Sequence, residues 1–389
     1  MPSPVYRLGA TGPAVAEIRS RLAQLGLLPS APDSSGAESG FDDAVFDRDV
    51  DRAVRAFQQQ RGVTSDGIVG PQTWRLLDEA RWRLGDRILQ LSVSHMMTGD
   101  DVAALQQRLL DMGFDCGRVD GIFGRTTERA LREFQRNVGL PDDGTAGPAT
   151  YAALLRLART VTGGAPQAMR ESESIRSGGP GLTGKVIVLD PGHGGLERGC
   201  AGHGIEEAEV AWDLATRVEG RLVALGVRAY LTRGLLGRDQ PAPDEAERAA
   251  FANAVAADLV LSLHCDAAAG EHARGVATYY YGSEGHPGGA FSAVGQRFAG
   301  LLQRELVART DLLDCGTHAK TWDLLRWTRM PAVRLEVGYL THPGDAARLA
   351  DPSFRDTIAE AATVAIQRLF LPPEDDTPTG VLRLPELIR

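Results

Sequence analysis

The N-terminal part of the chain repeats itself, and that duplication restricts what it can fold into. Val15, Ile18, Leu22 and Leu25 recur as Val102, Leu105, Leu109 and Met112, an apolar stripe of helical period in both copies. Thr11-Gly12 and Thr98-Gly99 precede the two stripes, and Gly26 and Gly113 follow them as stop signals. A second stripe, Val50, Ala53, Val54 and Phe57, corresponds to Thr127, Ala130, Leu131 and Phe134, and each ends in a glutamine, Gln58 or Gln135. A turn comes next, Asp66-Gly67-Ile68-Val69-Gly70-Pro71-Gln72-Thr73 or Asp143-Gly144-Thr145-Ala146-Gly147-Pro148-Ala149-Thr150. Pro71 and Pro148 suit the first turn of a third helix, where a missing N–H is no loss. Each copy therefore reads as a three-helix unit, spanning 5–80 and 88–160, with Phe57 and Phe134 in the cores. The first copy carries an extra Ser/Pro/Gly-rich loop around Pro29 to Gly40.

At 389 residues the chain is long enough for two or three domains. A formal charge of -9 and the lack of a basic stripe exclude a nucleic-acid partner. No apolar run is long enough for a transmembrane segment. Cys116, Cys200, Cys265 and Cys315 form no C-x-x-C pair and read as thiols in a reducing compartment. The start, Met-Pro-Ser-Pro-Val-Tyr-Arg-Leu-Gly, lacks the pattern of a secretory signal. Both features lead to the expectation of a cytoplasmic protein.

Residues 161–184 read as a flexible linker and 372–389 as a tail, in which Thr377 or Thr379 is a candidate phosphoacceptor and a solvated tail the plainer alternative. Between them, over 185–371, apolar strands alternate with helical stretches. Strands are expected at Lys185–Leu189, Arg228–Leu231, Leu259–Leu263 and Ala332–Leu335, with the stripe Val210, Ala211, Leu214, Val218 and Leu222 among the intervening helices. Such alternation implies an α/β domain with a largely parallel sheet, and sites in such sheets form beyond the carboxyl ends of the strands. His193 follows the first strand, His264 ends a later one and Glu336 ends the last. Among Glu206, Glu207 and Glu209, only Glu207 shares the buried helical face with Val210, Ala211 and Leu214. A carboxylate there is costly unless a cation pairs with it. Two histidines and an acid leave a zinc ion with an open fourth position, as hydrolytic sites require. Plainer roles exist for each: His193 could serve only a glycine-rich loop, His264 could be a hydrogen-bonded strand end, and Glu336 could be the ion-pair partner of Arg334. His203 reads as a solvated loop residue, His318 has approach to a substrate only as the lesser alternative, and Cys265 reads as pointing away from His264 by strand alternation.

The paired Ala-x-x-x-Phe-Gln and Asp-Gly-x-x-Gly-Pro-x-Thr elements resemble the three-helix peptidoglycan-binding module. Asp190-Pro191-Gly192-His193-Gly194-Gly195, Gly204-Ile205-Glu206-Glu207, Ser262-Leu263-His264-Cys265-Asp266 and Met330-Pro331-Ala332-Val333-Arg334-Leu335-Glu336-Val337-Gly338-Tyr339 resemble the type-3 N-acetylmuramoyl-L-alanine amidase family. That resemblance implies one zinc ion per chain on His193, Glu207 and His264, and Glu336 as catalytic acid/base. It implies hydrolysis of the amide between N-acetylmuramic acid and L-alanine, with peptidoglycan or muropeptide as substrate. Ala208 stands where the family usually has lysine, Asp266 where it usually has asparagine, and one residue is missing between Gly202 and Gly204. The whole arrangement also resembles the actinobacterial CwlM-type group. That likeness implies a second reading, a regulator of precursor synthesis that acts through a protein partner on an enzyme scaffold.

Overall fold

The computed structural model describes residues 4–29, 44–92, 95–157, 169, 171–173, 175, 179, 181–282 and 291–371. The loop after Pro29, most of the linker and the tail with Thr377 and Thr379 lie outside the described residues. The chain divides into two compact units. One comprises Met1–Met169 with Tyr281–Ser292 and Ala319–Arg329, and the other holds Arg170–Tyr280, Ala293–His318 and Met330–Arg389.

In the first unit each sequence repeat forms three helices: α1 Pro13–Gln24, α2 Arg48–Arg61 and α3 Pro71–Glu79, then α4 Asp100–Asp111, α5 Arg125–Asn137 and α6 Pro148–Leu157. The stripes of the two copies become two separate cores, one around Ile18, Leu22, Val54 and Phe57, the other around Leu105, Leu109, Leu131 and Phe134. Gly26 and Gly113 adopt φ of 72° and 90° just beyond their helices, a left-handed conformation that suits glycine. The glutamine after each phenylalanine is fully buried. Gln58 Nε2 donates to Asp66 Oδ1 (2.8 Å), the Ile68 carbonyl (3.0 Å) and Thr73 Oγ1 (3.2 Å), while its Oε1 accepts from the Gly67 amide (2.9 Å). Gln135 repeats this with Asp143 (3.0 Å), the Thr145 carbonyl (2.9 Å), Thr150 (3.2 Å) and the Gly144 amide (2.9 Å). One amide thus satisfies the turn that joins the second helix to the third, at a depth where unpaired backbone would be costly.

Tyr281 and the segment 319–329, which lie between strands of the α/β half in sequence, group with this first unit in space, and their large side chains find partners there. Arg326 donates from Nη1 to Glu79 (2.9 Å) and from Nε to the Asp120 carbonyl (2.7 Å). Arg75 pairs with Asp323 at 2.5 Å, Trp322 packs on the core of the first repeat, and the Tyr281 hydroxyl donates to the Val119 carbonyl at 3.0 Å.

The second unit holds the strands, apart from Tyr281 at the end of β6 and Ala319–Lys320 at the end of β7: β1 Val186–Pro191, β2 Ala201–Gly202, β3 Ile205–Glu206, β4 Arg228–Leu231, β5 Leu259–Asp266, β6 Val276–Tyr281, β7 Asp314–Lys320 and β8 Ala332–Tyr339. Six of them form one sheet in the order β4-β1-β5-β8-β6-β7, and β2 and β3 pair as a small separate ribbon. β4, β1, β5 and β8 run parallel, and β6 lies antiparallel to β8. The inner strands β1 and β5 are buried almost throughout, as expected of parallel strands covered on both faces. The helix Glu207–Ala224 lies against β1, β4 and β5, and helices Ala293–Arg309 and Pro352–Leu369 pack on each other. β6 and β7 add to the strands expected from the sequence. The Val-Ala-Thr-Tyr-Tyr-Tyr run of β6 carries the β-branched and aromatic character of a strand, whereas Asp-Cys-Gly-Thr-His-Ala-Lys in β7 does not. Among the described residues no helix is long and apolar enough to cross a membrane.

Candidate metal centre

The carboxyl ends of β1 and β5 and the first turn of the Glu207–Ala224 helix meet at one place. One donor atom from each of His193, Glu207 and His264 lies within 4.8 Å of the other two. Glu207 Oε1 is 3.1 Å from His193 Nε2 and 2.8 Å from His264 Nδ1. The two imidazoles stand edge-on, with centroids 5.0 Å apart at 80°. The Cys200 amide donates to Glu207 Oε2 at 2.9 Å and the Cys265 amide to Oε1 at 3.2 Å, so backbone fixes the carboxylate from two sides.

Burial opposes charge on Glu207, yet its bonds to His193 and His264 outweigh it and hold the carboxyl far below the usual carboxylate range. Burial, reinforced by the Arg334 field, pushes His264 down to about 3, which keeps the imidazole in its neutral, metal-binding form. Two glycines leave room for the cluster. A Cβ on Gly192 would fall 2.3 Å from the His264 ring, and one on Gly199 would fall 2.4 Å from Glu207 Oε2 and 2.6 Å from the His193 ring. His193 itself has φ of 55°, a left-handed conformation uncommon outside glycine. Nitrogen, nitrogen and carboxylate donors, clustered and held by backbone, suit a borderline cation such as zinc.

Glu336 lies beside His264 in the β5–β8 ladder. Its Oε1 accepts from Arg334 Nε at 2.7 Å, so the ion pair weighed above is present. Its Oε2 is buried with no hydrogen-bond partner among the described residues. Burial, with the fields of Glu207 and Asp266 added against that of Arg334, raises its pKa to about 7.

Glu206 pairs with Arg198 (2.8 Å) and Arg238 (2.9 Å), and Glu209 pairs with Arg198 (2.8 Å), so neither joins the cluster. His203 is exposed, its Nε2 3.4 Å from the Thr341 carbonyl. His318 Nε2 donates to the Cys315 carbonyl at 2.7 Å, and its ring lies 5.6 Å from that of Tyr279. The sequence reading missed Glu197, whose carboxylate engages His193 Nδ1. A carboxylate on the outer nitrogen fixes the tautomer that leaves Nε2 free to bind metal. An acid four residues beyond a candidate ligand was the available clue.

A parallel-stranded α/β unit with a histidine–glutamate–histidine centre at its strand ends defines the class, a hydrolase fold suited to one metal ion. Residues 187–368 match the N-acetylmuramoyl-L-alanine amidase family, and 11–77 and 98–154 match the peptidoglycan binding domain family. The chain is 46% identical over 398 residues to N-acetylmuramoyl-L-alanine amidase CwlM of Mycobacterium tuberculosis, covering all of this chain and 96% of that protein. It is 31% identical over 180 residues to the amidase LytC of Bacillus subtilis, covering 46% of this chain and 34% of that one. The catalytic domain of CwlV, the amidase of Bacillus (Paenibacillus) polymyxa, aligns with 28% identity and a TM-score of 0.42, over 47% of this chain and 96% of that domain. The chain belongs to the N-acetylmuramoyl-L-alanine amidase family.

Proposed function

We propose that the protein hydrolyses the amide between N-acetylmuramic acid and L-alanine of peptidoglycan, with one zinc ion per chain held by His193, Glu207 and His264. The clustering of those three donors within 4.8 Å, from three separate segments, carries the reading. Bound there, zinc would supply Lewis acidity toward the amide carbonyl and bring the pKa of water down to roughly 7. The remaining work falls to the chain. Glu336 Oε2, which has no hydrogen-bond partner among the described residues, accepts a proton from the attacking water and delivers it to the departing alanine nitrogen. Arg334 holds the other oxygen at 2.7 Å and thereby fixes which lone pairs face the substrate. Glu197 holds the tautomer of His193, and the amides of Cys200 and Cys265 hold Glu207.

A scaffold without chemistry would have no use for two buried acids beside two histidines, so family membership and site favour catalysis over the regulatory reading. The two repeats are assigned the task of keeping the enzyme on its polymeric substrate. Protein purified without chelator should contain about one zinc per chain and release stem peptide from muropeptides, and His264→Ala should lose both. Metal-free wild-type protein at physiological zinc, or equal turnover by the variant, would rule the proposal out.

A further inference from the structure

Behind the candidate ligands, two buried arginines close on the backbone that carries them. Arg248 donates from Nη2 to the His193 carbonyl (2.9 Å), from Nη1 to the Pro191 carbonyl (2.8 Å) and to Asp190 Oδ1 (3.1 Å), and from Nε to the Pro243 carbonyl (2.8 Å). Arg233 donates from Nε to the Pro191 carbonyl (2.9 Å) and from Nη2 to the carbonyls of Gly192 (3.0 Å) and Ala208 (3.0 Å). Three consecutive carbonyls, those of Pro191, Gly192 and His193, therefore face guanidinium groups. The loop needs such restraint, because His193 sits at φ of 55° and a residue in that region relaxes unless its surroundings hold it.

The anchoring extends outward. Asp190, the counter-ion of Arg248, also accepts from Thr232 Oγ1 (2.5 Å) and Ser262 Oγ (2.6 Å), which ties the clamp to β5 and to the end of β4. The Trp212 ring lies 5.4 Å from the Arg233 guanidinium and covers it. Ala208 adjoins Glu207, so Arg233 spans the two segments that carry His193 and Glu207. A planar fork with several donors can hold carbonyls from both segments in one fixed geometry, and a lysine ammonium cannot.

We infer that Arg233 and Arg248 are positioning residues of the metal centre, setting where the His193 imidazole stands relative to the Glu207 carboxylate and hence the affinity and geometry of the bound ion. The inference rests on the metal reading given above. It is tested in the full chain with Arg233→Lys and Arg248→Lys, and with Arg228→Lys, an exposed arginine on β4, as control. Zinc affinity is measured by chelator competition, coordination by the visible spectrum of the cobalt-substituted protein, and folding by circular dichroism and melting of the metal-free form. Both clamp variants should bind zinc about 10- to 100-fold more weakly and show an altered cobalt spectrum, with secondary structure retained and the control unchanged. Wild-type affinity and spectrum in Arg233→Lys would overturn the inference, even if the metal-free form melted lower, because the clamp would then serve the fold alone. Should Arg248→Lys fail to fold, Arg233→Lys decides. A wild-type protein that takes up no zinc would sink the metal reading and this inference with it, whereas normal wild-type uptake with unaltered variants would sink this inference alone.

Discussion

Glu336 is the acid to which the proposed mechanism gives the proton transfers, and its surroundings set its pH response. Burial and the fields of Glu207 and Asp266 raise its pKa to about 7. A base must be ionised to act, so kcat/KM should fall as pH drops below that value, by about tenfold per unit for a single group; metal bound nearby would move this limb lower, and no movement toward higher pH is expected. Glu336→Gln should cost roughly 10²- to 10⁴-fold in kcat and leave zinc content unchanged, as metal analysis beside turnover would show. Asp266→Asn removes one of the charges that raise Glu336, so the acid limb in a pH–rate profile should shift to lower pH. A shift upward would mean that Asp266 acts otherwise. Glu207 was picked from its neighbours by helical phase alone, since Val210, Ala211 and Leu214 marked its face as the buried one, and it is 3% exposed. Helical phase says nothing of Glu197, whose only sequence clue is its spacing of four from His193 and whose part depends on a turn in which the Gly194 amide bonds to the Glu197 carbonyl.

Elements show the same division between pattern and partner. The helices of both repeats were legible because an apolar stripe of period 3.6 has few other ways to bury itself. The glutamines that follow the phenylalanines gave no such clue, since a buried amide declares its use only when its acceptors are in place. Gln135→Leu should destabilise the second repeat by about 1–3 kcal/mol, as the Gly144 amide and its neighbours lose their partner. Denaturant melting of the full chain would show this as an earlier transition with zinc content intact. Gly199→Ala should impair metal uptake, because its Cβ would intrude on Glu207 and His193. A variant that binds zinc like the parent would show that the loop yields there. β1 and β5 announced themselves as continuous apolar runs, whereas β7 is polar and owes its existence to the sheet it joins.

For the molecule as a whole, the proposed metal site would link ion binding to stability. A ligand that binds only the folded chain stabilises it by about 2.7 kcal/mol at 100 times its dissociation constant. Chelation should therefore lower the melting temperature of the second unit and readdition of zinc restore it, an increment absent from His264→Ala. In the first unit, Arg326 is buried against Glu79 and Asp120, and replacing it with alanine strands a buried carboxylate. That change should cost about 3–5 kcal/mol, read as an early transition in calorimetry. What the sequence determined by itself was whatever follows from periodicity and from residue types at strand ends: the two helical repeats, the α/β half, and the candidates His193, Glu207 and His264, which do cluster, with Glu336 beside them in the ladder. Only the tertiary structure decided which unit 319–329 joins, which amides hold Glu207 and which arginines hold the His193 loop. The physical reason is that burial patterns are written locally along a chain, while the partner of a polar group comes from residues remote in sequence and is specified only once the chain has folded.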